Sequence, residues 1–157
     1  MDEATTKYRL VFPIILLLLC IAAFAALLPV LGFYWDDWFV IFYGYAERAD
    51  FLSVHYSYDR PYSYWTATLS HAILGSSPLL WQIAGLLIRW GALLASWWAL
   101  HALWPRRSKE LGWVVMLFAI YPANFLQPIS VALSQHWIAY GLFFVSLGAM
   151  GWANRRP

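Results

Sequence analysis

The chain has 157 residues, of which 62% are hydrophobic and 11% charged, against roughly 45 to 50% apolar and about 25% charged in an average soluble domain. That composition excludes a water-soluble globular protein, and intrinsic disorder with it. The net charge of +2 comes from Lys and Arg in short clusters beside hydrophobic runs, which excludes a nucleic-acid-binding stripe, and the single cysteine, Cys20, excludes an internal disulfide and a cysteine metal cluster.

Residues 10–33 carry no charge and have only Pro13, Pro29 and Gly32 as breakers. At ~1.5 Å per residue they exceed the ~30 Å hydrocarbon thickness and predict a first membrane span. The run is also longer than the core of a cleavable signal peptide, about 7 to 15 residues. A loop over 34–78 follows. Within it Trp38, Phe42 and Tyr45 fall near helical spacing over 38–47. Over 62–74, Trp65, Leu69, Ala72 and Ile73 fall at i, i+4, i+7 and i+8. Both segments are too short to span and predict helices lying on the membrane surface.

Gly75-Ser76-Ser77-Pro78 ends the second of these and restarts the chain as a second span over 79–103. The basic group Arg106, Arg107 and Lys109 stops that span. Residues 111–125 and 131–153 predict a third and fourth span, separated by a turn bounded by Pro122 and Pro128. The expected fold is therefore an all-α polytopic membrane helix bundle, a single membrane domain of about four transmembrane helices plus two short extracytoplasmic surface helices.

Lys7, Arg9, Arg106, Arg107, Lys109, Arg155 and Arg156 lie on one side of these spans, Arg48 and Arg60 on the other. Cytoplasmic loops hold the excess of basic residues, so both termini are expected in the cytoplasm and the 34–78 loop outside, in a plasma (inner) membrane. That loop carries five acids, Asp36, Asp37, Glu47, Asp50 and Asp59. Trp35, Trp38, Trp104, Trp113 and Trp152 flank span ends, as interfacial anchors do.

Four residues carry candidate chemistry. Asp36 and Asp37 stand directly after the first span, where a fixed carboxylate serves either as a general base or as the cap of the surface helix that follows, Asp36 being the expected cap. One could cap while the other reacts. Arg60, held before Pro61, reads as a clamp on an anionic phosphate or as a local ion pair with Asp59. Arg89, ten residues into the second span, is expensive in hydrocarbon and must face a partner, a polar cavity or a bound phosphate. Ser134, Gln135 and His136 place three polar groups at the outer start of the fourth span. The four histidines lack metal-ligand spacing, so no metal site is expected, and no Gly-rich phosphate loop or nucleophile elbow is present.

Taken in order, the first span, Asp36-Asp37, the surface helices with Arg60-Pro61 between them and the span from Pro78 resemble the GT-C superfamily of membrane glycosyltransferases. The likeness is to the protein-mannosyltransferase and lipid A aminoarabinose transferase branch. Leu117-Phe118-Ala119-Ile120-Tyr121-Pro122 with the polar turn and the span from Gly141 to Gly151 are similar to that group's third and fourth helices.

The resemblance implies an enzyme embedded in the lipid bilayer that moves a sugar, with inversion, from a polyprenyl-phosphate carrier to an extracytoplasmic acceptor. Its catalytic aspartate maps onto Asp36 or Asp37; a departing phosphate benefits from preorganised cations, and Arg60 and Arg89 are the candidates for that task. A divalent cation is compatible with the residues but not required by them. Members of the group have more spans, so the chain is expected to be the N-terminal portion of a longer protein. The competing expectation is a non-catalytic polytopic protein, a transporter piece or assembly subunit, in which Arg89 and the 134–136 cluster hold helices together.

Overall fold

The computed structural model describes residues 3–46, 49–58, 60–121 and 128–154. Its regular elements are helical: α1 Glu3–Phe24 continued by a 3₁₀ turn Ala25–Leu27, α2 Asp36–Tyr45, α3 Ala49–Ser57, α4 Ser63–Leu74, α5 Pro78–Leu103, α6 Ser108–Ala119 and α7 Ser130–Ala153. Three stretches are long and apolar enough to cross a membrane, Leu10–Leu27, Pro78–Leu103 and Ser130–Ala153.

The first expected span is helical over a shorter stretch than 10–33, because the chain tightens to 3₁₀ geometry at Ala25–Leu27 ahead of Pro29. The expected third span, 111–125, corresponds to α6, whose 12 residues reach only ~18 Å. Residues 122–127, which hold most of the expected turn, lie outside the described residues. So do Glu47, Arg48, Asp59, Arg155 and Arg156.

The 34–78 loop holds three helices where two were expected. The unforeseen one, α3, has Tyr56 as its buried residue among the described side chains, too little for a periodic signal.

The chain forms two compact units. One comprises residues 1–26, 86–125 and 136–157. In it the indole N–H of Trp90 donates to the Pro13 carbonyl at 3.0 Å, and Phe12 packs on Trp97 with ring centroids 4.6 Å apart, tying α1 to α5. Cys20 is buried, a small packing residue on α1.

The other unit comprises residues 27–85 and 126–135. Its core is Phe33, Val40, Ile41, Tyr56, Ala67, Trp81 and Val131, so α2, α3 and α4 close over the first turns of α5 and α7. The α2–α4 approach depends on Gly44, where a Cβ would lie 1.9 Å from the His71 ring. Gly75 ends α4 at φ +57°, a conformation that L side chains rarely adopt, and its carbonyl accepts the Trp81 indole N–H at 2.8 Å. That bond fixes the corner from which α5 departs.

Candidate functional site

Asp36 and Asp37 are the first two residues inside α2. They lie past the N-cap position, from which a side chain reaches back to the second and third amides. The expected capping of α2 by Asp36 is accordingly absent: the N-cap residue is Trp35, without a side-chain hydrogen bond.

Asp37 instead caps α7. Its Oδ1 accepts the backbone N–H groups of Val131 at 3.0 Å and Ala132 at 2.8 Å. These are the second and third residues of a helix that begins after Ile129, a residue with no capping side chain. The carbonyl of Ile129 already accepts the Leu133 N–H at 3.2 Å, as an N-cap carbonyl does, so a carboxylate from 94 positions upstream supplies the missing acceptor.

Asp37 is fully buried, and its Oδ2 has no hydrogen-bond partner among the described residues. Burial pushes its carboxyl up to about 6, against the downward pull of the Ala132 and Val131 amides and the backbone at Tyr34 and Ser130. Asp36, one residue earlier, is exposed to solvent. The pair is therefore split between a sequestered carboxylate committed to architecture and an accessible one.

The turn that presents them is unusual. Trp35 has φ +48° and ψ −119°, and the Asp37 N–H donates to the Tyr34 carbonyl at 3.0 Å across it. That is the geometry of the first central position of a type II′ turn, where glycine is the usual occupant.

Several polar groups around the α7 entrance bond within the same unit, while the buried Ser130 hydroxyl, like Asp37 Oδ2, has no hydrogen-bond partner among the described residues. Gln82, buried on α5, donates from Nε2 to the Pro128 carbonyl at 2.9 Å. The Thr66 hydroxyl on α4 donates to Gln135 Oε1, and Ser134 donates to the Val131 carbonyl at 2.7 Å. Ser134 and Gln135 thus join the buried polar cluster, while His136 is exposed. Thr66 and Gln82 were not singled out in the sequence. The signal for Gln82 was its isolation in an apolar run.

Arg60 is exposed, with its backbone pinned at the α3–α4 corner: its N–H donates to the Tyr56 carbonyl at 3.0 Å and its carbonyl accepts the Ser63 N–H at 2.8 Å. Pro61 falls in this turn, two residues before α4 and not in its first position. Arg89 lies in the other unit and is 1% exposed. Its guanidinium carbon sits 3.8 Å from the centroid of the Phe24 ring and 4.7 Å from that of Trp137, so aromatic faces on α1 and α7 meet the cation.

Among the described residues no three His, Cys, Asp or Glu side chains come together as a metal site. Comparison of the chain with protein-family models, with curated proteins and with solved structures finds no match.

Proposed function

We propose that this membrane protein is a glycosyltransferase, or the N-terminal portion of one, that moves a sugar from a polyprenyl-phosphate carrier to an extracytoplasmic acceptor. The observation that carries the reading is the division of labour between Asp36 and Asp37. A general base must be reachable by its substrate and held in place. Asp36 is exposed, and its neighbour Asp37 is anchored by two amides of α7.

In the reaction an acceptor hydroxyl oxygen forms a bond to the anomeric carbon as the bond from that carbon to the phosphate oxygen breaks. The polyprenyl phosphate leaves with the electron pair, and the hydroxyl proton passes to Asp36. Attack opposite the leaving group inverts the anomeric centre. Arg60, exposed on a pinned corner, is the cation for the departing phosphate. Arg89, bracketed by aromatic rings and buried, enters the reading as a helix-packing residue.

The test is sugar release from a radiolabelled polyprenyl-phosphate hexose by membranes containing the protein. Asp36→Asn lowers transfer by about 100-fold or more at unchanged unfolding temperature. Undiminished transfer by that variant removes Asp36 as base.

A second reading, a non-catalytic polytopic subunit, is favoured by the structural employment of both Asp37 and Arg89. It predicts that no donor is turned over while Asp37→Ala and Phe24→Leu still weaken the fold.

A further inference from the structure

Three observations converge on Trp35. Its backbone, at φ +48°, occupies a left-handed region that is strained for a residue other than glycine. Its side chain is 79% exposed, so packing returns little of that cost. The indoles of Trp81 and Trp90 are anchored, to the Gly75 carbonyl and to the Pro13 carbonyl, whereas among the described residues no ring contact or side-chain hydrogen bond involves Trp35. A residue that is strained, unpacked and bulky contributes nothing to stability here. Its value lies in what meets the ring from outside, as backbone outliers at ligand sites suggest.

The next residue identifies the visitor. Asp36 is exposed and joined to Trp35 by one peptide bond. A bilayer anchor has no use for a neighbouring carboxylate, which is costly to desolvate, nor for a strained turn, since Trp38 and Trp65 already expose indoles from regular helices. A pyranose matches both groups. Its face of C–H bonds carries partial positive charge toward the negative face of an indole, and its hydroxyls donate to a carboxylate.

We infer that Trp35 and Asp36 form a pyranose-binding platform, with the Trp35 ring as the stacking face and the Asp36 carboxylate as the hydroxyl acceptor. The choice of ligand rests on the sugar-transfer reading; the platform itself is a binding claim that can be measured without turnover.

The experiment uses the whole chain in lipid nanodiscs, labelled with 5-fluorotryptophan, with the Trp35 fluorine resonance assigned by its loss in Trp35→Leu. The probes are the methyl glycosides of glucose, mannose and galactose. At least one moves the Trp35 resonance saturably, and Asp36→Asn weakens that binding by about three- to tenfold. Trp35→Gly raises the unfolding temperature by relieving the turn, yet abolishes the protection that the same glycoside gives against heat. Stability and binding thus move in opposite directions, which a merely structural tryptophan does not produce.

A Trp35 resonance unmoved by all three glycosides overturns the inference, and its broadening by nitroxide-labelled lipid then assigns the ring to the bilayer. A glycoside shift in a chain that transfers no sugar keeps the platform and removes the transfer.

Discussion

Asp37 and Val131 stand 94 positions apart and are joined by a 3.0 Å hydrogen bond from the Val131 amide to the Asp37 carboxylate. One side chain from the 34–78 loop thereby terminates the positive end of a long apolar helix. Replacing a capping Asp by Ala costs about 0.5 to 2 kcal/mol, and burial of the freed amides puts this site at the upper end. Asp37→Ala is expected to lower the unfolding temperature in detergent, and Asp37→Asn, whose carbonyl also accepts from both amides, is expected to hold it. Equal losses in the two variants would show that charge, not capping, is what α7 needs.

The same carboxyl predicts a pH dependence. Burial raises its folded pKa to about 6, above the ordinary carboxylate range. The folded state therefore holds the proton more tightly than the unfolded chain, and this group's contribution is fully present below the unfolded pKa and lost as pH rises through about 6. A rise of this size corresponds to about 3 kcal/mol at most. Unfolding temperatures of the wild type should fall between pH 4 and pH 8 relative to those of Asp37→Asn, which carries no titrating group at that position. Parallel profiles would remove Asp37 as the source.

Arg89 is held between the Phe24 and Trp137 rings. A lysine keeps the charge but loses the flat guanidinium that stacks on an aromatic face. Arg89→Lys is expected to destabilise by about 1 to 2 kcal/mol, read from thermal unfolding in detergent. Affinity of the folded fraction for a polyprenyl-phosphate analogue stays unchanged, and a loss of affinity greater than the loss of stability would return Arg89 to the phosphate site.

Orientation is tested in a Cys20→Ala background. Tyr58→Cys, in an exposed part of the 34–78 loop, should react with a membrane-impermeant thiol reagent added outside intact cells. Lys109→Cys, within the basic group after α5, should react only after the membrane is opened. The reverse pattern would invert the assignment that the basic residues give.

How much of this was legible depends on the range of each interaction. α5 and α7 lie within a residue of their expected starts because long apolar runs, interrupted by Arg89 as the one charge in α5, begin at Pro78 and after Pro128. α4 was readable from the i, i+4 recurrence of Trp65 and Leu69. α3 was not, having too few turns to display a period. The accessibility of Asp36 and the burial of Asp37 could not be separated in sequence, because both sit in one turn and the difference is made by two backbone amides almost a hundred residues away. The only trace was Ile129, a residue without a capping group at the head of a long helix. The turn at Trp35 left no trace, since tryptophan is the last residue that a glycine-favouring conformation suggests.

The bonds that Gln82 and Asp37 make to residues 128–132 also order events in time. Chain emerging from the ribosome meets its partners in sequence, and the segment from 27 to 85 is inserted well before the segment that completes its unit. Until Pro128 and the first turn of α7 arrive, Asp37 lacks its Val131 and Ala132 amide donors and Gln82 lacks its closest acceptor. The helices α2, α3 and α4 consequently reach their final packing only after the start of α7 has been made. This long-range closure makes the unit slow to form relative to the helices that compose it.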